Sequence, residues 1–207
     1  MAARFMHTLL TPAVLAAEDH YYGRRYAVTK TTPPRDAFSL EERAFIESRD
    51  SFYLSTISES GWPYIQHRGG PAGFLKVSGP HELLFADYGG NRQMLSVGSL
   101  SQNDRVCLFL MDYAARERLK ILGHAKVLDA REHPDLVERS APSGGHAAKV
   151  ERVFVIEVLS FDWNCPKFIT PRYTADEVQT AVEPLKARIK QLEEKLATLQ
   201  DGATEQA

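Results

Sequence analysis

Two arginines in this sequence stand beside glycine pairs: Arg68 immediately precedes Gly69 and Gly70, and Arg92 lies just after Gly89 and Gly90. Glycine lets backbone amides approach a ligand closely, a helix N-terminus concentrates N–H groups, and a guanidinium fork meets two oxygens at once. That combination is what a phosphate monoester needs. The stretch from Gly61 to Arg92 therefore reads as the holder of a phosphate-bearing small molecule. Side chains alternate along a strand, so Gln66 shares a face with Arg68, while His67 points away and is expected to be structural. Asn91 is suited to cap a helix, which would place Arg92 in a first turn, where a cation is unfavourable unless an anion is bound.

Each of these residues also has a plain structural reading. Arg68 could be a surface strand residue paired with Glu82 or another carboxylate, and Asn91 with Arg92 an ordinary helix cap. Arg116, Arg118 and Lys120 could belong to a solvated hairpin. Arg118 and Lys120 share one strand face, however, and would complete an anion pocket with Arg92 if the fold brought them together. Trp163, Asn164 and Cys165 fall after the last expected strand. Trp163 suits either the core or the edge of a ligand, Asn164 offers both donor and acceptor, and Cys165 is read as packing or as a redox thiol.

The elements that must position these residues follow from periodicity and caps. Residues 1–38 form an N-terminal arm with one short helix over Pro12 to Asp19, ending where Pro33 and Pro34 forbid regular structure. Ser39 and Glu42 make a capping box for a helix reaching about Arg49, with Phe45 and Ile46 on its apolar edge. Strands are expected over 52–58, 63–67, 73–77, 82–88, 105–112, 119–128 and 150–159, with a short helix from Asn91 to about Leu100. Six or seven short strands with few helices between them point to a mainly β fold, an antiparallel barrel whose closure removes exposed edges. Alternating βαβ units are absent. Thr174 and Glu177 form a second capping box ahead of a heptad pattern at Val178, Val182, Leu185, Ile189, Leu192, Leu196 and Leu199, interrupted by Pro184. That helix would pack on its own barrel or pair with a second subunit.

A chain of 207 residues that is 43% hydrophobic can bury one sizeable core, which sets the barrel domain at 39–173 and a C-terminal helix with its tail at 174–207. The formal net charge of −2 offers no general attraction to nucleic acid or to an acidic membrane surface. Two cysteines outside any ligand spacing, a weak N-terminal apolar run and only strand-sized apolar stretches fit a cytoplasmic protein without a metal site. No catalytic base or nucleophile can be assigned.

With the elements in order, GWPYIQHRGG (61–70), ADYGGNRQ (86–93), RLKILGHAKV (118–127) and WNCPKFITPR (163–172) together resemble the FMN-binding split barrels related to pyridoxamine 5'-phosphate oxidase. The resemblance implies FMN at the interface of a homodimer. Arg68, with Gln66, Gly69 and Gly70, would approach the flavin, and Asn91, Arg92 and Gln93 would meet its phosphate. Gln93 replaces a lysine of the family pattern, leaving Arg118 or Lys120 to supply the missing charge, while Trp163, Asn164 and Cys165 would shape the substrate side. The terminal Arg/His segment that holds substrate phosphate in the vitamin-forming oxidases has no counterpart after Tyr173. The resemblance therefore implies a flavin-dependent oxidoreductase acting on an unidentified small molecule, not a true pyridoxine-phosphate oxidase. A flavin-binding or sensing module without turnover is the alternative, as is haem or a deazaflavin in the same barrel, with His67 or His146 as the candidate haem ligand.

Overall fold

A computed structural model describes residues 3–204 except 25, 28, 91, 142–148 and 164–165, with side chains described as far as residue 197. Alternation builds the strands. In β1 (Ser51–Ile57) Phe52, Leu54 and Thr56 are buried while Tyr53 and Ile57 face outward. In β5 (Arg105–Asp112) Val106, Leu108 and Leu110 take the inner side, and in β6 (Glu117–Asp129) Leu119, Ile121 and Ala125 do. β4 (Glu82–Tyr88) is instead buried continuously from Leu83 to Asp87, because α5 (Pro134–Ser140) packs against it and against β7 (Val150–Trp163).

With β2 (Pro63–Gly69) and β3 (Lys76–Gly79), the hydrogen-bonded order is β2-β1-β5-β6-β7-β4-β3, every neighbour antiparallel. β2 and β4 stand far apart in that order, yet Arg68 Nη1 on β2 donates to Asp87 Oδ1 on β4 at 2.6 Å. The sheet therefore curls until its ends meet through side chains rather than through a backbone ladder, a seven-stranded split barrel. Curling needs local kinks, and the β6–β7 ladder shifts register between Leu122 and Gly123. A Cβ on Gly123 would stand 2.7 Å from the Glu157 carbonyl oxygen, so only glycine fits there. Inside the barrel Phe85 stacks on Phe154 at 4.6 Å, and Phe52 meets Phe85 edge-on at 5.4 Å.

α3 (Leu40–Glu47) begins with the Ser39–Glu42 capping box and buries Phe45 and Ile46. Glu42 also accepts a hydrogen bond from Trp163 Nε1 at 2.8 Å, while the indole meets Phe45 edge-on. Burial pushes the Glu42 carboxyl up, but the hydrogen bonds from Ser39 and Trp163 outweigh it and the net shift is downward.

Several elements depart from their sequence expectations. The N-terminal region holds two helices, α1 (Ala3–Leu9) and α2 (Pro12–Tyr22), rather than one over Pro12 to Asp19. α1 has no apolar period to reveal it, and its only buried residue is Phe5. α2 continues to Gly23, whose φ of 61° makes the left-handed stop. β3 starts at Lys76 rather than Gly73, because Phe74 N–H bonds the Pro71 carbonyl in a turn that carries Phe74 into the core. β7 continues to Trp163, which is the last residue of that strand rather than part of the loop after it. α4 (Leu95–Gln102) begins later than expected, with Met94 rather than Asn91 at its N-cap.

Residues 1–112 with 116–168 form one compact unit, which contains the barrel. Residues 113–115 with 169–207 form the other, which contains α6 (Ala175–Thr204). α6 opens with its capping box made: Glu177 N–H donates to Thr174 Oγ1 at 3.2 Å, and Thr174 N–H to Glu177 Oε2 at 2.7 Å. No helix among the described residues is long and apolar enough to cross a membrane.

The lowered Glu42 value means its stabilisation is present above the unfolded carboxyl value of about 4.3 and is lost as pH falls through the lower folded value. Glu42→Gln should therefore cost about 1–2 kcal/mol near pH 7. In urea denaturation at stepped pH, the gap to the unsubstituted chain should close below about pH 4.

Candidate cofactor-binding site

The period of two in β2 turns Tyr64, Gln66 and Arg68 to one side and Ile65, His67 and Gly69 to the other. Tyr64, Gln66 and Arg68 face the end of β4 and the first turn of α4 across a cavity of about 220 Å³. Asp87, Tyr88, Gly90, Arg92, Gln93, Met94–Val97 and Arg152 complete the lining. Three guanidinium groups thus face a single carboxylate.

That carboxylate is fully engaged. Asp87 is buried, with Oδ1 accepting from Arg68 Nη1 at 2.6 Å and Oδ2 from Arg152 Nε at 2.8 Å. Arg152 also pairs with Glu151 at 2.9 Å. Burial alone would lower the Arg152 value, but Asp87 and Glu151 more than offset it and the net shift is upward. The Arg68 guanidinium lies 5.0 Å from the Phe154 ring centroid and 5.8 Å from that of Phe85, and its Nε is buried without a hydrogen-bond partner. Arg68 therefore has a carboxylate partner and lines the cavity as well. The partner is Asp87 rather than Glu82, which pairs with Arg139 on α5. Burial also raises the Tyr88 phenol.

The loop into α4 is strained at the cavity. Arg92 and Met94 take left-handed φ values of 57° and 58°, a conformation that costs a non-glycine residue about 1–2 kcal/mol. Arg92 consequently lies ahead of the helix, not in its first turn, so the dipole argument made for it does not apply. The α4 N-terminus has no side-chain cap. Ser96 donates to Gln66 Oε1 at 2.8 Å instead, which fixes the Gln66 amide at the cavity wall.

Of the site residues read from the sequence, Gln66, Arg68, Arg92 and Gln93 come together in this lining. Gly69 lines a smaller neighbouring cavity of about 200 Å³ with His67 and Phe74. Gly70 lines neither: a Cβ there would stand 2.7 Å from Phe74 Cγ, so its small size serves core packing rather than approach by a ligand. Arg118 and Lys120 do share a face of β6, but on the side away from the core and outside this lining. Lys120 pairs with Asp162 at 3.1 Å and stands 4.9 Å from the Phe5 ring centroid. Arg118 Nε is buried without a partner. Trp163 is committed to Glu42 and Phe45. Asn91, Asn164, Cys165 and His146 lie outside the described residues, and His67 is on the outward face of β2, edge-on to Tyr53.

Sequence reasoning missed Tyr64, Asp87, Tyr88, Ser96 and Arg152. Tyr64 shares the alternation that found Gln66 and Arg68. Asp87 had a signal too, as a carboxylate closing the apolar run LLFA. Arg152 had none, because only the β4–β7 ladder sets it opposite Asp87.

Asp87→Asn should leave the largely buried Arg68 guanidinium without its counter-charge and Arg152 with Glu151 alone, and destabilise the chain by about 3–5 kcal/mol, read as a lowered urea midpoint.

The family model for pyridoxamine 5'-phosphate oxidase matches residues 38–161. No curated protein matches the chain. Similar solved structures include HupZ of Group A Streptococcus, 11% identical, covering 67% of this chain and 99% of that one with a TM-score of 0.48. A protein related to general stress protein 26 from Clostridium acetobutylicum is 18% identical, covering 67% and 95% with a TM-score of 0.44. An FMN-binding protein from Syntrophomonas wolfei is 13% identical, covering 59% and 83% with a TM-score of 0.44. The family match spans more than half of the chain and takes in every residue lining the cavity. The chain therefore belongs to the pyridoxamine 5'-phosphate oxidase family.

Proposed function

We propose that this chain binds FMN in the cavity between β2, the end of β4 and α4, in a homodimer, and acts as an FMN-dependent oxidoreductase on a small molecule. The observation that carries the reading is the donor set. Arg68 Nε is buried without a partner, Arg92 is held at the cavity by a strained loop, and the α4 N-terminus has no side-chain cap. Such donors fit a phosphate monoester.

Within this reading Arg92 and the first N–H groups of α4 hold the phosphate, while Arg68, braced by Asp87, presents its unpaired Nε to the bound nucleotide. Arg152, paired with Glu151 as well, braces Asp87 from the β7 side. Gln66, fixed by Ser96, offers its amide N–H to a ring carbonyl or nitrogen, and Tyr64 and Tyr88 limit water access. FMN, when bound, supplies hydride or single-electron transfer. A cavity of about 220 Å³ is smaller than the roughly 300–1,000 Å³ usual for ligand sites, which supports a half-site completed by a second copy. Arg118 and Lys120 lie outside the lining within one chain, so in this reading any contribution from them comes from that second copy.

The test is the absorption spectrum of the purified chain, followed by heat release and FMN titration. Oxidised-flavin absorption with FMN released is the expected result. A colourless chain that does not bind added FMN overturns the reading. Arg92→Ala should weaken FMN binding roughly 10- to 100-fold, the loss of one charge-assisted hydrogen bond, while far-UV circular dichroism stays unchanged; Arg68→Ala should weaken it at least as much and also lower the urea midpoint, because buried Asp87 loses a partner.

A further inference from the structure

α6 lies beyond the segment matched by the family model, and its apolar residues form one stripe. Val178, Val182, Leu185, Ile189, Leu192 and Leu196 recur at alternating spacings of four and three residues, the seam of a two-stranded coiled coil. Val182 is half-buried, and the other five are between 44% and 62% exposed. An amphipathic helix draws most of its stability from covering its apolar face, so this seam calls for an occupant.

We propose that the occupant is α6 of a second copy of this chain, paired in parallel and in register. The assignment puts Val182, Ile189 and Leu196 at the a positions and Val178, Leu185 and Leu192 at the d positions. Two β-branched residues at a with leucine at most d positions favour a parallel two-stranded coil. The flanking charges agree. In a parallel pair each g residue faces the e residue of the partner's next heptad, which sets Arg188 against Glu193 of the partner subunit. An antiparallel pair would set g against g and bring the cations Arg188 and Lys195 of the two copies together. Pro184 falls at a c position on the outer side of the helix, where its missing N–H does not interrupt the seam. Glu183, at b, accepts from Gln179 Nε2 at 2.7 Å and lies 3.8 Å from Lys186 Nζ, so its charge is balanced within its own helix.

The test is site-specific cross-linking in the full chain, with Cys107 and Cys165 replaced by serine. Val182→Cys, Leu196→Cys and, as an outward-facing control at an f position, Ala187→Cys are each treated with a mild oxidant. Parallel pairing places both seam thiols opposite their own copies. Disulfide-linked dimer should then form at 182 and at 196 at least roughly tenfold more than at 187, because paired thiols reach a high effective concentration. Cross-linking at only one seam position is incompatible with parallel pairing in register and overturns the proposal. Background levels at both positions, with the helical circular dichroism signal intact, mean antiparallel pairing or a different surface on the seam and overturn it equally. Positions 182, 187 and 196 lie outside the cavity lining, so FMN titration of these variants, referred to the cysteine-free parent and to the unsubstituted chain, reports separately on the flavin reading.

Discussion

Asp87 is 9% exposed and lies between two guanidinium groups, one from β2 and one from β7, while it sits itself on β4. A carboxylate withdrawn from water costs several kcal/mol unless its oxygens are fully paired, and here each oxygen accepts from a different arginine. The Arg68 contact also joins β2, at one end of the curled sheet, to β4 near the other, where no ladder does so. The barrel and the cavity at its open seam thus depend on one ion network. A strand register that moved Asp87 by one residue would turn its carboxylate away from both arginines and lose the closure and the lining together.

The arrangement around the cavity departs from the ease of the core. The core has stacked and edge-on phenyl rings, whereas the corner at β4 and α4 holds an unpartnered Arg68 Nε, two left-handed non-glycine residues and an uncapped helix start. Each of these is unfavourable alone. They persist because the neighbouring packing over-determines the backbone: Phe85 and Phe154 flank the Arg68 guanidinium, and Ser96 ties α4 to Gln66. The left-handed Arg92 and Met94 and the unpartnered Arg68 Nε at this one cavity are the features on which the proposed phosphate site rests.

Much of the fold was legible in local pattern. β4 and β5 run over the residues that their periodicity and flanking turns marked, and the Ser39 and Thr174 caps form as their spacing to Glu42 and Glu177 indicates. Less legible were elements without periodicity. α1 rests on Phe5 alone, β3 slid along the chain when Phe74 turned inward, and the start of α4 was decided by the left-handed Met94. The glycines were misleading in one respect, since Gly70 is small to admit the Phe74 ring.

By itself the sequence determined which faces the side chains occupy: Gln66 and Arg68 together, His67 opposite, Arg118 with Lys120, and the heptad stripe of α6. Alternation and helical period are local properties and need no knowledge of the fold. Only the tertiary structure decided which of those faces meet. The β4–β7 ladder sets Arg152 opposite Asp87, the curl of the sheet carries Arg68 to the same carboxylate, and the outward pleat of β6 keeps Arg118 and Lys120 from the cavity within one chain. Those meetings depend on strand order and barrel closure, which arise from burying one shared core and leave no mark in the spacing of the residues they bring together.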